Sequence, residues 1–123
     1  MVSKTEKTAI DVVMKYERKE GRKPKDVHTQ KKGWDVESGR RLIEVKGLGV
    51  GRRFDFSLET KLFRFNKSIK NRYYIYIVYN IGRRPKLKIL SHKNIFKKGI
   101  LTTYTKAWME PKIVKQIGKD VKL

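Results

Sequence analysis

Apolar residues recur at helical spacing near the start of the chain, where Ala9, Ile10, Val13 and Met14 form one stripe within residues 4 to 19. Glu20-Gly21-Arg22-Lys23-Pro24 then supplies a stop. From Val27 to Gly47 the pattern changes to short alternating segments, broken at Lys32-Gly33 and Ser38-Gly39-Arg40-Arg41, which predicts successive antiparallel strands. Gly47-Leu48-Gly49-Val50-Gly51 reads as a flexible loop. Phe54 to Leu58 reads as a short strand, and Thr60 to Lys70 as a second helix with Leu62, Phe65 and Ile69 on its apolar side. Tyr73 to Tyr79 is apolar on both faces, the mark of a central strand, whereas Lys86 to Leu90 alternates and belongs nearer an edge. Pro111 suits the first turn of a closing helix with Val114, Ile117 and Val121 in one stripe, and Trp108 reads as a packing anchor. With no repeat, linker or low-complexity segment, the expectation is one α/β domain over residues 1–123, a size typical of a single core.

Charge narrows the function. The chain carries 32 Lys and Arg against 12 Asp and Glu, a net charge of +20, and such a field attracts polyanions, DNA or RNA first among them. The acids are unevenly placed: none occurs between Thr60 and Met109, a stretch that holds 13 Lys and Arg. Carboxylate chemistry must therefore come from the first half, with phosphate contacts from the second half and the loops, at Arg52, Arg53, Lys61, Arg64, Lys67, Arg83 and Arg84. No apolar run approaches the roughly 18 residues that span a bilayer. The absence of cysteine removes disulfides and thiolate sites, and together with the lack of a signal-like opening fits a cytoplasmic protein without a membrane partner.

The candidate chemistry lies in Trp34-Asp35-Val36-Glu37-Ser38, Gly39-Arg40 and Arg41-Leu42-Ile43-Glu44-Val45-Lys46. If Gly39 and Arg40 form a type II′ turn, Ser38 pairs with Arg41, and counting outward sets Asp35 opposite Glu44. Facing carboxylates repel, and a divalent cation between them would convert repulsion into ligation. Lys46, two residues beyond Glu44, projects from the same face. Trp34, Val36, Ile43 and Val45 then fill the opposite, apolar face, so a one-residue slip would bury the charges. Glu17 falls four residues after Val13 on the inward stripe of the first helix and is a candidate to complete the site, whereas Glu20 and Glu37 read as solvated. His28 and His92 lack companions at metal-ligand spacing and read as ordinary polar residues.

Gly33-Trp34-Asp35-Val36 followed by Leu42-Ile43-Glu44-Val45-Lys46-Gly47 resembles the PD-(D/E)XK restriction-endonuclease-like superfamily. Within it the resemblance is closest to the domain at the C-terminus of the plant protein NO VEIN, found also on helicases and restriction-associated proteins. It runs from Ala9, through Tyr16-Glu17 and Gly21-Arg22, to Tyr73-Tyr74-Ile75-Tyr76-Ile77-Val78. The resemblance implies an αβββαβ core with a mixed central sheet flanked by helices. It also implies Mg²⁺ on Asp35 and Glu44, Lys46 orienting the attacking water and Glu17 assisting; the hairpin register adds the Val45 carbonyl as an expected further ligand, and oxygen ligands suit Mg²⁺ or Mn²⁺. The activity implied is DNA cleavage in restriction, repair or junction resolution; a homodimer and a helicase or restriction-system partner are compatible with it. One departure is plain: where that subfamily carries an acid or amide near the start of the second helix, this chain has Thr60-Lys61-Leu62-Phe63. The alternative function is a nucleic-acid-binding module of the same fold without turnover.

Overall fold

The computed structural model of the chain describes residues 3–58, 60–97 and 111–122. Helix α1 spans Lys4–Lys19, as its stripe predicts. The Ser3 side chain accepts the Glu6 N–H at its N-cap, 3.1 Å, and Glu6 and Arg18-Lys19 place opposite charges at the dipole ends that favour them. It closes in a Schellman motif, in which the Gly21 N–H reaches the Arg18 carbonyl and the Arg22 N–H reaches that of Glu17. Gly21 takes the required left-handed conformation, φ +83°.

A five-stranded mixed sheet follows: β1 (Pro24–Asp26), β2 (Val36–Ser38), β3 (Arg41–Gly49), β4 (Tyr73–Ile81) and β5 (Lys86–Ser91), in spatial order β1-β2-β3-β4-β5. β3 and β4 run parallel and the other neighbours antiparallel. Between β3 and β4 lie a 3₁₀ turn, Thr60–Arg64, and the one-turn helix α2, Lys67–Lys70; α3, His92–Ile95, follows β5, and α4, Pro111–Ile117, lies near the end of the chain. The order α, three strands, helical segment, strand is the expected one.

The sheet is covered on both faces, which is why β4 is apolar throughout. On one face α1 sets Ala9, Ile10 and Val13 against Val36, Ile43, Val45, Tyr76 and Val78. On the other, Leu62 and Ile95 pack on Leu48, Tyr73, Ile75 and Ile77, with Trp34, Phe56 and Phe65 at the margin.

Five local expectations are corrected. The first strand is Pro24–Asp26, before Val27, and a 3₁₀ turn occupies His28–Gln30. Gly47 and Gly49 belong to β3 rather than to a loop, because β4 continues beside them. Residues 54–58 form no strand, since both neighbouring positions of β3 are already taken by β2 and β4. The second helix is broken at Phe65 and Asn66: Phe65 turns to Trp34 and Tyr73, and the Asn66 side chain caps a new turn by accepting the Ile69 N–H, 2.9 Å. The closing helix ends at Ile117, short of Val121, and these two residues of its expected stripe are 78% and 75% exposed rather than buried. Trp108 lies outside the described residues.

Gly47 is where α1 crosses β3 most closely. A Cβ there would stand 2.9 Å from the Thr5 carbonyl oxygen and 3.0 Å from the Ala9 Cβ, so the helix would have to lift. Gly47→Ala is expected to destabilise the fold by about 1–3 kcal/mol through overpacking. The check is a fall in denaturant midpoint at unchanged m-value.

Candidate functional site

The hairpin register places the candidate residues. Gly39 has φ +57° in a two-residue turn, and Arg40 does not share its positive φ, as type II′ requires. Ser38 pairs with Arg41, Glu37 with Leu42 and Val36 with Ile43. The ladder stops there, one pair short of Asp35 and Glu44. Instead the Asp35 N–H donates to the Ile43 carbonyl, 2.8 Å, and the Asp35 Oδ2 accepts the Val45 N–H, 2.8 Å. Asp35 thus takes the place that the next backbone carbonyl of β2 would have held, at the point where β2 leaves β3. In a strand the N–H and C=O of one residue point to the same side, so the Val45 carbonyl is also turned toward this opening.

Alternation sets the faces. Val36, Ile43 and Val45 point to α1, as predicted, and Glu44 and Lys46 point the other way. Lys46 Nζ lies 6.0 Å from the centre of the Phe56 ring, on the second face. Asp35, Glu44 and Lys46 are each half-buried, and Glu44 pairs with Ile75 in the middle of the sheet. The structure therefore puts Glu44 and Lys46 on one face, with the Asp35 carboxylate held at the Val45 N–H that lies between them in sequence.

Trp34 does not join the α1 face: it packs at the margin of the second cluster against Phe65, and its Nε1–H donates to Glu37, 2.9 Å. Glu37 is accordingly not a solvated acid. The Trp34 hydrogen bond, aided by Lys32 at 3.0 Å, holds its pKa below the ordinary value against the cost of burial. His28 is bound to Asp26, and His92 is buried with its Nε2 3.2 Å from the Leu62 carbonyl.

Glu17 is the main correction. It is fully buried, but on the α1 face, across the sheet from Glu44 and Lys46. Arg22 grips it through Nε and Nη2 at 2.6 and 2.8 Å, and the Tyr76 hydroxyl donates to it at 2.9 Å. Burial pushes the Glu17 pKa up, and hydrogen bonds from Arg22 and Tyr76 outweigh it, leaving the carboxyl below its ordinary value. Burial, together with Glu17, pushes the Tyr76 hydroxyl up to about 12, although Arg41 donates to it at 2.7 Å and pulls the other way. Among the described residues no three His, Cys, Asp or Glu side chains are grouped to hold a metal ion.

The cations named from the sequence stand around the second face and the strand ends. Lys61, Arg64 and Lys67 are exposed on the segment that carries Leu62 into the second cluster, and Lys61 reaches the Lys31 carbonyl, 3.3 Å. Arg52 and Arg53 are exposed after β3, and Arg83 and Arg84 at the β4–β5 turn, next to one another in the fold because the Val50 N–H bonds the Ile81 carbonyl. The sequence reading missed a second basic group, Arg22, Arg40, Arg41 and Arg72; the Arg40-Arg41 pair flanking the turn glycine was its only visible signal. No helix of the described residues is long and apolar enough to cross a membrane.

A mixed five-stranded sheet with helical cover on both faces defines an α/β domain. More narrowly, the chain belongs to the family of the C-terminal region of Protein NO VEIN, whose model matches residues 5–90, from α1 into β5. No curated protein and no solved structure matches it.

Proposed function

We propose that the protein is a metal-dependent endonuclease of the PD-(D/E)XK type that hydrolyses DNA phosphodiester bonds, acting in restriction, repair or junction resolution. One observation supports this reading: where β2 leaves β3 the Asp35 carboxylate is fixed at the Val45 N–H, between Glu44 and Lys46, which share a face of β3, and all three are half-buried. The donor set is all oxygen, two carboxylates and the Val45 carbonyl. Mg²⁺ is commonly held by one or two carboxylates with water completing its shell, and Mn²⁺ accepts the same ligands, so these residues fit such an ion. When bound, it supplies Lewis acidity at the phosphoryl group. The Val45 N–H fixes the Asp35 carboxylate, Lys46 holds the attacking water and stabilises charge growing on the phosphoryl oxygens, and the surrounding Lys and Arg grip the strand.

A second reading, a binding module without turnover, is favoured by the basic and apolar Thr60-Lys61-Leu62-Phe63 and by the placement of Glu17 away from Asp35 and Glu44. Purified protein incubated with duplex, single-stranded and branched DNA and with RNA, in Mg²⁺ and in EDTA, separates the two. The nuclease reading expects Mg²⁺-dependent cutting of at least one DNA. Binding without cutting across the whole panel assigns the second. In either case log affinity is expected to fall linearly with log salt, by about 0.9 per phosphate neutralised on duplex DNA, and a flat plot would remove the phosphate-contact basis of both.

A further inference from the structure

The parallel register sets Leu42 beside Tyr73 and Ile43 beside Tyr74, so the residues that begin β3 and β4 meet at one end of the sheet. There Arg40, Arg41, Asn71, Arg72, Tyr74 and, from the Schellman turn, Arg22 line a concavity of about 330 Å³. Four of these six residues are arginine and none is acidic. Arg41 and Tyr74 lie on the α1 face, away from Glu44 and Lys46.

Three of the four guanidinium groups, those of Arg22, Arg41 and Arg72, are held. Arg41 gives one N–H to the Tyr76 hydroxyl, 2.7 Å, and its carbon lies 4.4 Å above the centre of the Tyr74 ring. Arg72 gives its Nε–H to the Arg40 carbonyl, 2.8 Å. Each guanidinium has five N–H donors, so these bonds orient Arg41 and Arg72 while sparing the rest. Glu17 compensates Arg22 from behind; among the described residues no carboxylate pairs with Arg40, Arg41 or Arg72, and no lining residue is acidic. Three such cations drawn together repel one another, and an anion between them relieves that cost. Planar guanidinium forks match phosphate oxygens in particular.

We infer that this concavity is a binding site for a phosphomonoester, at the end of a nucleic acid strand or on a nucleotide. Three cations suit a dianion better than the single charge of a backbone diester, and the volume, at the lower end of small-molecule sites, admits a phosphate with its sugar. The inference does not rest on the cleavage reading and stands if no DNA is cut.

The test compares oligonucleotides of one sequence with a 5′-phosphate, a 3′-phosphate or hydroxyl ends, with a nucleoside 5′-monophosphate and inorganic phosphate titrated alone and as competitors. A phosphorylated end is expected to bind at least about ten-fold tighter than a hydroxyl end, as for one charge-assisted hydrogen bond. Arg40→Ala, at an exposed position, and Arg72→Lys are expected to erase the preference in protein of unchanged circular dichroism. Arg83→Ala with Arg84→Ala should weaken all the oligonucleotides alike and keep it. Competition by the mononucleotide at concentrations equal to the strand end identifies free nucleotides as the source; competition by strand ends alone identifies nucleic acid termini. Equal binding of all ends with no uptake of phosphate or mononucleotide overturns the inference, as does a preference that survives Arg40→Ala and Arg72→Lys together.

Discussion

Lys46→Ala is expected to lower single-turnover cleavage by at least about 10²–10³-fold, the loss typical of removing one donor aimed at developing charge. DNA affinity should change little. Lys46 lies two residues beyond Glu44 on the same face, so under the proposed function its ammonium acts where the phosphoryl group reacts, and an interaction made mainly in the transition state appears in the rate rather than in binding. Arg83→Ala with Arg84→Ala should do the reverse: those residues are exposed at the β4–β5 turn, and their loss should weaken binding and flatten the salt dependence while leaving the bound-state rate nearly intact. The asymmetry between the two variants is the measurement. If wild-type protein cuts DNA and Lys46→Ala cuts it at a similar rate, β3 is not the catalytic strand and the nuclease reading fails with it.

The largest effect on stability is expected at Glu17. Glu17→Ala leaves Arg22 and the Tyr76–Arg41 pair facing an emptied, fully buried position, and breaking a buried pair from one side costs about 3–5 kcal/mol. Arg22 keeps 27% side-chain exposure, so water recovers part of the loss and the lower end applies. For a domain of this size that lowers the melting temperature by roughly 10–20 °C. Glu17→Gln, which keeps the shape and gives up the charge, should lose less. The pH dependence has a definite sign: the folded pKa lies below the ordinary value of 4.5, so the stabilisation is present above that value and is lost as pH falls through the folded pKa. Acid unfolding of wild type should accordingly be steeper than that of Glu17→Gln, and parallel acid limbs would show that Glu17 does not carry the effect. Folded Glu17→Gln should also retain the cleavage rate of wild type, because Glu17 lies across the sheet from Lys46; a loss comparable to that of Lys46→Ala would return it to the catalytic group.

How much of this was legible in the sequence follows from the range of each interaction. The stripe of Ala9, Ile10 and Val13 with Gly21 beyond it specifies α1 and its end, since helical periodicity and a left-handed cap are local. Gly39 and the alternation on either side of it specify the β2–β3 register, and hence that Glu44 and Lys46 share a face, because a slip by one residue would exchange the apolar and charged sides. The two-faced apolarity of residues 73–79 likewise specifies a central strand. Periodicity tells which side of an element is buried, but not what covers it. That Glu17 points inward was readable; that it meets Tyr76, 59 residues away, on the face opposite Glu44 was decided when α1 packed on one side of the sheet. The break at Asn66, which parts an apparently continuous helix, came from Phe65 turning to Trp34 and Tyr73. The arginine concavity has the same origin: Arg40-Arg41 and Arg72 are about thirty residues apart and come together only through the parallel pairing of β3 with β4, a contact between distant segments that no local pattern encodes.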